Sequence, residues 1–107
     1  MSFRVIMLSR AERDVEDIHA FIFESSPQNA SLVVDRIAAQ VRALSKMPRS
    51  YPAAIESPEL GGEFHQAVVW PYRIIFEIVG KDVLVHTVRH GHRRPASDII
   101  SFGDENS

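Results

Sequence analysis

His86, Arg89, His90, His92, Arg93 and Arg94 fall within nine residues that contain no acid, a basic cluster in a chain whose twelve Lys and Arg are outnumbered by fourteen Asp and Glu. Guanidinium groups hold phosphates through paired N–H donors, and an imidazole titrating near neutrality moves protons, so the cluster suits RNA cleavage by general acid and base. It suits docking onto an acidic partner equally well, and basic clusters meet partners more often than they perform reactions. Arg73 is expected beside this cluster in the sheet. It shares a polar strand face with Glu77, and an exposed ion pair between them would contribute only about 0 to 1 kcal/mol. His86, His90 and His92 alternate along one side of an extended strand, which raises a metal site. Such a site needs a carboxylate brought in by folding, Glu63 or Glu77, and the plainer reading is a set of half-buried and exposed strand histidines. No metal is expected. A Gly-x-Ser-x-Gly elbow and a phosphate-cradling glycine loop are both missing, so hydrolase and nucleotide-binding readings lack support and no cofactor is expected.

The elements that must position these residues follow from periodicity. Phe3 to Leu8 reads as a strand, and Ser9 with Glu12 has the spacing of a capping box that hands over to a helix. From Arg10 to about Glu24, Ala11, Val15, Ile18 and Ile22 recur at steps of four, three and four, which predicts one buried face. Ser26 followed by Pro27 marks the start of a second helix. That helix carries Ala30, Val33, Val34, Ile37, Ala38, Val41 and Leu44 on one stripe and stops before Pro48, so the two helices should form an antiparallel hairpin. Between Pro48 and Gly62, three prolines and two glycines in fifteen residues predict an irregular connection. Glu63 to Trp70, Tyr72 to Val79 and Asp82 to His90 then read as a three-strand meander, the last two strands joined by a Gly80-Lys81 turn of type II′. With Val79 opposite Asp82, Tyr72, Ile74, Phe76, Ile78, Val83 and Val85 share an apolar face. The polar face holds Arg73, Ile75, Glu77, Leu84, His86, Val88 and His90. Trp70-Pro71-Tyr72 is expected to end a strand and pack at a sheet corner. Pro95 to Ser107 is expected to be a polar, partly frayed tail.

The chain has 107 residues, 45% hydrophobic and 24% charged, which is the size and composition of one globular α+β domain. A formal charge of −2 removes bulk attraction to nucleic acid or anionic membrane, so any nucleic-acid contact must be local. The sequence contains no cysteine, which excludes disulfides, thiolate metal sites and cysteine nucleophiles and agrees with a reducing, cytoplasmic location. Apolar runs fall well short of the roughly 20 residues that span a bilayer, so neither membrane insertion nor export is expected.

This order of elements, with Tyr72-Arg73-Ile74-Ile75-Phe76 and Val88-Arg89-His90-Gly91-His92-Arg93-Arg94, resembles the RelE/ParE superfamily of bacterial type II toxin–antitoxin toxins over nearly the whole chain. The resemblance implies a small curved antiparallel sheet under two helices and growth inhibition relieved by a cognate antitoxin. It leaves a homodimer and a toxin–antitoxin hetero-oligomer both open. RelE-like members cleave messenger RNA on the ribosome, and by position Arg73 and Arg93 match their two arginines, with His90 as a third catalytic group. Phe64 and Gln66 stand where those nucleases carry lysines, and Ile99 where their C-terminal tyrosine belongs. A related ribonuclease branch uses a glutamate, an arginine and a histidine, to which Glu59, Arg73 and His90 correspond, with Gly91 replacing a tyrosine. ParE-like members, associated with plasmid stabilization and inhibition of DNA gyrase, are closer in charge and in the His-Gly-x-Arg ending. The similarity to them makes gyrase the preferred target and assigns Arg89, His92 and Arg94 to target binding.

Overall fold

The computed structural model describes residues 2–91, and of residues 59 and 60 the backbone alone. The expectations for His92, Arg93, Arg94, Ile99 and the tail therefore lie outside the described residues, as does the side chain of Glu59. β1 (Arg4–Met7) leads into α1 (Ser9–Phe23) and α2 (Pro27–Ala43). After the connection come β2 (Phe64–Val69), β3 (Tyr72–Val79) and β4 (Asp82–His90). β2, β3 and β4 form the antiparallel meander. β1 joins parallel to β4, which gives the order β1-β4-β3-β2.

The helices cover one face of this sheet. Ala11, Ile37 and Leu44 meet Ile74, Phe76, Val83 and Val85 there, all with essentially no exposed surface. The helical stripe and the alternation of β3 are thus the two halves of one core. Ser26 Oγ accepts from the Asn29 amide at 3.2 Å and Pro27 opens α2, as the sequence predicts. The capping box at Ser9 is not formed. Leu8 is the N-cap, and its hydrocarbon side chain has no acceptor to offer; its amide donates to the Val85 carbonyl and completes the β1–β4 ladder. The helix starts at once, and Ser9 is drawn into its first turn.

The connection is more regular than expected. Pro48 opens a 3₁₀ turn over Pro48–Ser50, and Pro58 sits in the first turn of α3 (Ser57–Leu60), which ends at Gly61 with φ 75°. Pro48, Pro58 and Gly61, which suggested irregularity, are the start and stop signals of short helical turns.

The Gly80-Lys81 turn sets Val79 opposite Asp82, with Gly80 at a left-handed φ of 61°, and this register holds to Phe76 opposite Val85. The next pair is Ile75 with Thr87, so His86 has no opposite residue and forms a β-bulge. One extra residue exchanges the faces of everything beyond it. Val88 lies opposite Ile74 and enters the main core, His90 lies opposite Tyr72, and Arg89 lies opposite Arg73. The expectation that Val88 and His90 share the Arg73 face is corrected here, and His86 and His90 stand on opposite faces.

β1 ends opposite Val85, which leaves the outer edge of β4 from His86 onward without a strand neighbour among the described residues. Asp14 of α1 takes over this edge, accepting from Thr87 Oγ1 at 2.6 Å and from the Val88 amide at 3.0 Å. Asp14→Ala removes the acceptor of two part-buried donors, and the expected loss is about 2 kcal/mol of unfolding free energy in urea with an unchanged m-value.

Candidate functional site

Arg73 and Arg89 face each other across β3 and β4 on the sheet side away from the helices. Like charges directly opposite in a sheet are destabilising, and Arg73 is only 3% exposed, so its charge needs a partner. Glu56 supplies it. Its Oε2 accepts from Arg73 Nη1 at 3.1 Å, from Arg73 Nη2 at 2.7 Å and from Arg89 Nη1 at 3.0 Å. Three guanidinium donors therefore converge on a single oxygen. Among the described residues, Glu56 Oε1 and Arg73 Nε are the buried side-chain polar atoms left without a hydrogen-bond partner.

The segment that delivers Glu56 is tied along the β2 edge. Phe64 O accepts from the Ala54 amide, Pro52 O accepts from the Gln66 amide, and Ser57 Oγ donates to Gly62 O. Arg49 grips Glu63 through both carboxylate oxygens at 2.9 and 3.1 Å and so joins the two ends of the segment. His65 and Arg49, in that order of effect, hold the Glu63 carboxyl below the usual carboxylate range. Ala54, Phe64 and Ile75 form a small second core beside Glu56. This side of the sheet is thus not the open polar face that alternation suggested.

Arg73 and Glu77 do not pair with each other. Glu77 Oε1 instead accepts from His86 Nε2 at 2.8 Å, beside the Phe64 ring. His90 packs edge-on against Tyr72 at 5.4 Å between ring centres, and burial pushes the Tyr72 hydroxyl above its usual range. A cavity of about 130 Å³ lies over the bulge, lined by Arg10, Glu56, Ile75, His86, Thr87 and Arg89. Folding thus brings Arg73, Arg89 and His86 to one side, with Arg73 buried and Arg89 at the surface, and leaves His90 on the other. Among the described residues no three His, Asp or Glu side chains are placed to hold a metal ion. Trp70, just past the end of β2, is 63% exposed, whereas Tyr72 is buried.

Sequence reasoning missed Glu56 and Asp14. Glu56 is an acid inside a Pro/Gly-rich connection, and only the need to neutralise a buried Arg73 could have pointed to it. Removing the Arg73 charge strands the Glu56 carboxylate with the half-exposed Arg89 alone. Arg73→Ala is therefore expected to cost roughly 3 kcal/mol in chemical denaturation, far above the value for an exposed pair.

The geometry has relatives. The family described as the ParE toxin of the type II toxin–antitoxin system parDE matches residues 5–95. "Putative toxin Y4kP" of Sinorhizobium fredii is 34% identical over 92 residues, covering 85% of this chain and 91% of that protein. Among solved structures, the chromosomal ParDE toxin–antitoxin system from P. aeruginosa superposes with a TM-score of 0.72 at 18% identity, over 85% of this chain and 98% of that one. The RelBE2 toxin–antitoxin complex from Mycobacterium tuberculosis gives a TM-score of 0.55 at 22% identity, over 84% and 99%. The strand, helix hairpin and bulged meander, together with the match across residues 5–95, place the chain in the ParE toxin family of type II toxin–antitoxin systems, within the RelE/ParE superfamily.

Proposed function

We propose that the protein inhibits DNA gyrase by binding it, acts in the cytoplasm, and is neutralised by a cognate antitoxin. The observation that carries this reading is the burial of Arg73 against Glu56. A ribosome-dependent mRNA endoribonuclease built on Arg73, His90 and Arg93 needs Arg73 free to hold phosphate charge and a proton-transferring histidine beside it. Here the Arg73 terminal donors are taken by Glu56, and His90 stands across the sheet against Tyr72. Binding asks less of these residues. Arg89, about half exposed at the end of β4, is then a docking cation toward an acidic partner.

The antitoxin reading is supported by the surface beside α2. Pro52 to Ala54 covers the first half of edge strand β2, while Val68 and Trp70 remain exposed next to an open groove of about 410 Å³ shared with Arg36, Ala39, Gln40 and Ala43. An amphipathic helix with an extended segment fits such a groove and edge, adding apolar burial and main-chain hydrogen bonds.

The purified chain is expected to block gyrase supercoiling, with Arg89→Ala raising the concentration required roughly tenfold. An unaffected enzyme at stoichiometric excess removes the gyrase reading, and cleavage of ribosome-bound message by the purified chain replaces it with the nuclease. Trp70→Ala is expected to weaken binding of the adjacent-gene antitoxin by about 2 kcal/mol, roughly thirtyfold by titration calorimetry. An unchanged affinity would place the antitoxin elsewhere.

A further inference from the structure

The geometry points to His65 as a proton-dependent latch: its ring donates from both nitrogens at once, so the fastening of the segment between α2 and β2 is complete in the imidazolium form and loosens when that proton leaves. The inference concerns how the fold is secured and is independent of the toxin's target.

The two neighbours of the ring carry it. His65 is 9% exposed, near the start of β2. Its Nδ1 lies 2.7 Å from the Tyr51 carbonyl oxygen, and its Nε2 lies 3.1 Å from Glu63 Oε2. A carbonyl and an ionised carboxylate are both acceptors and have no proton to give. Neutral imidazole has one N–H and one lone pair, so in either tautomer it satisfies one of these oxygens and turns a lone pair on the other. Turning the ring over exchanges both nitrogens for carbons and satisfies neither. Imidazolium satisfies both.

The surroundings agree with a cation at this position. Arg49 donates to both Glu63 oxygens, at 2.9 and 3.1 Å, and the Glu63 carboxyl is held below its usual range first by His65 and then by Arg49, so the carboxylate facing the ring is charged. The same carboxylate neutralises Arg49, the neighbouring cation. From β3, Phe76 stands opposite His65 with its ring inclined by 19° and 5.7 Å away between centres, an aromatic face against the imidazolium. The Tyr51 hydroxyl, held by Gln40 of α2, brings no charge. Glu77 lies opposite Phe64, on the other face of the sheet, and is taken by His86.

Tyr51 lies within the connecting segment and Glu63 at its far end, so one ring ties two parts of it. The backbone bonds from the Ala54 amide to Phe64 O and from the Gln66 amide to Pro52 O flank this tie, as does the bridge between Ala53 and His65. The His65 proton stabilises the folded chain, so its contribution is present at low pH and is lost as pH rises through the imidazole range, roughly pH 5 to 8. The Glu63 contribution has the opposite sign, present above the carboxylate range and lost as pH falls. The latch is therefore tightest between the two.

The test is nitrogen NMR of the full chain, with the ring signals assigned by through-bond correlation to the His65 backbone. Both ring nitrogens are expected to carry a proton at about pH 7. Glu63→Gln should lower the proton affinity of the ring about tenfold, because an amide can donate to a neutral imidazole and a carboxylate cannot. One bare ring nitrogen at that pH overturns the inference, and so does a proton affinity indifferent to Glu63→Gln. A second readout is the hydrogen-exchange protection of the Ala54 and Gln66 amides, corrected for intrinsic rates. It should fall about tenfold between about pH 6 and about pH 8 in the unsubstituted chain and stay level in Glu63→Gln. Equal falls in both chains would assign the response to other groups and overturn the latch. The ring measurement needs no substitution, so it decides the matter even if the variant does not fold.

Discussion

Two arginines sit opposite each other on neighbouring strands, one of them almost wholly buried, and a single carboxylate from a distant loop holds both. A buried guanidinium without its counter-ion is among the costlier defects a small domain can carry, so the loop that supplies Glu56 is a structural member. That explains why the segment after α2 is fastened so thoroughly. Its backbone bonds to β2, Arg49 bridges to Glu63, and Tyr51 accepts from Gln40 Nε2 on α2 at 3.0 Å and packs edge-on against Phe76. The loop fixes the charge, and the charge fixes the loop.

The second determinant is the bulge at His86. Without it, β4 would place His86, Val88 and His90 on one side with Arg73, and the basic end of the chain would read as one continuous catalytic surface. With it, Val88 fills the core, Arg89 meets Arg73 and Glu56, and His90 turns away. The bulge also leaves the β4 edge beyond β1 for Asp14 to cap, so one inserted residue sets both the face of the arginine pair and the attachment of α1. Arg73 and Arg89 thereby lie on one side of the sheet and His90 on the other.

Much of this was legible in the chain. β3 and β4 begin and end at the residues that Pro71, Gly80 and the alternation mark, and Ser26-Pro27 starts α2 as its capping chemistry requires. These are local signals, decided within a few residues. The bulge was not legible, because an extra residue in one strand is defined only against its partner, and His86 carries no glycine to announce it. Ser9 failed as a cap because a tertiary bond, from the Leu8 amide to Val85, began the helix one residue early. Residue type draws attention to Arg73, yet its burial depends on Glu56, seventeen residues away, and on Ala54, Phe64 and Ile75 closing beside it. Residue type marked the site, and non-local packing decided its character.

The most direct test of the central claim is a double-mutant cycle on Arg73 and Glu56, read as unfolding free energy in urea. If Glu56 exists to neutralise buried Arg73, Arg73→Ala and Glu56→Ala together should cost much less than the sum of the two, with a coupling of about 2 kcal/mol or more. A coupling near zero would mean that the two charges are held independently, and the account of Arg73 as a structural arginine withdrawn from catalysis would be contradicted.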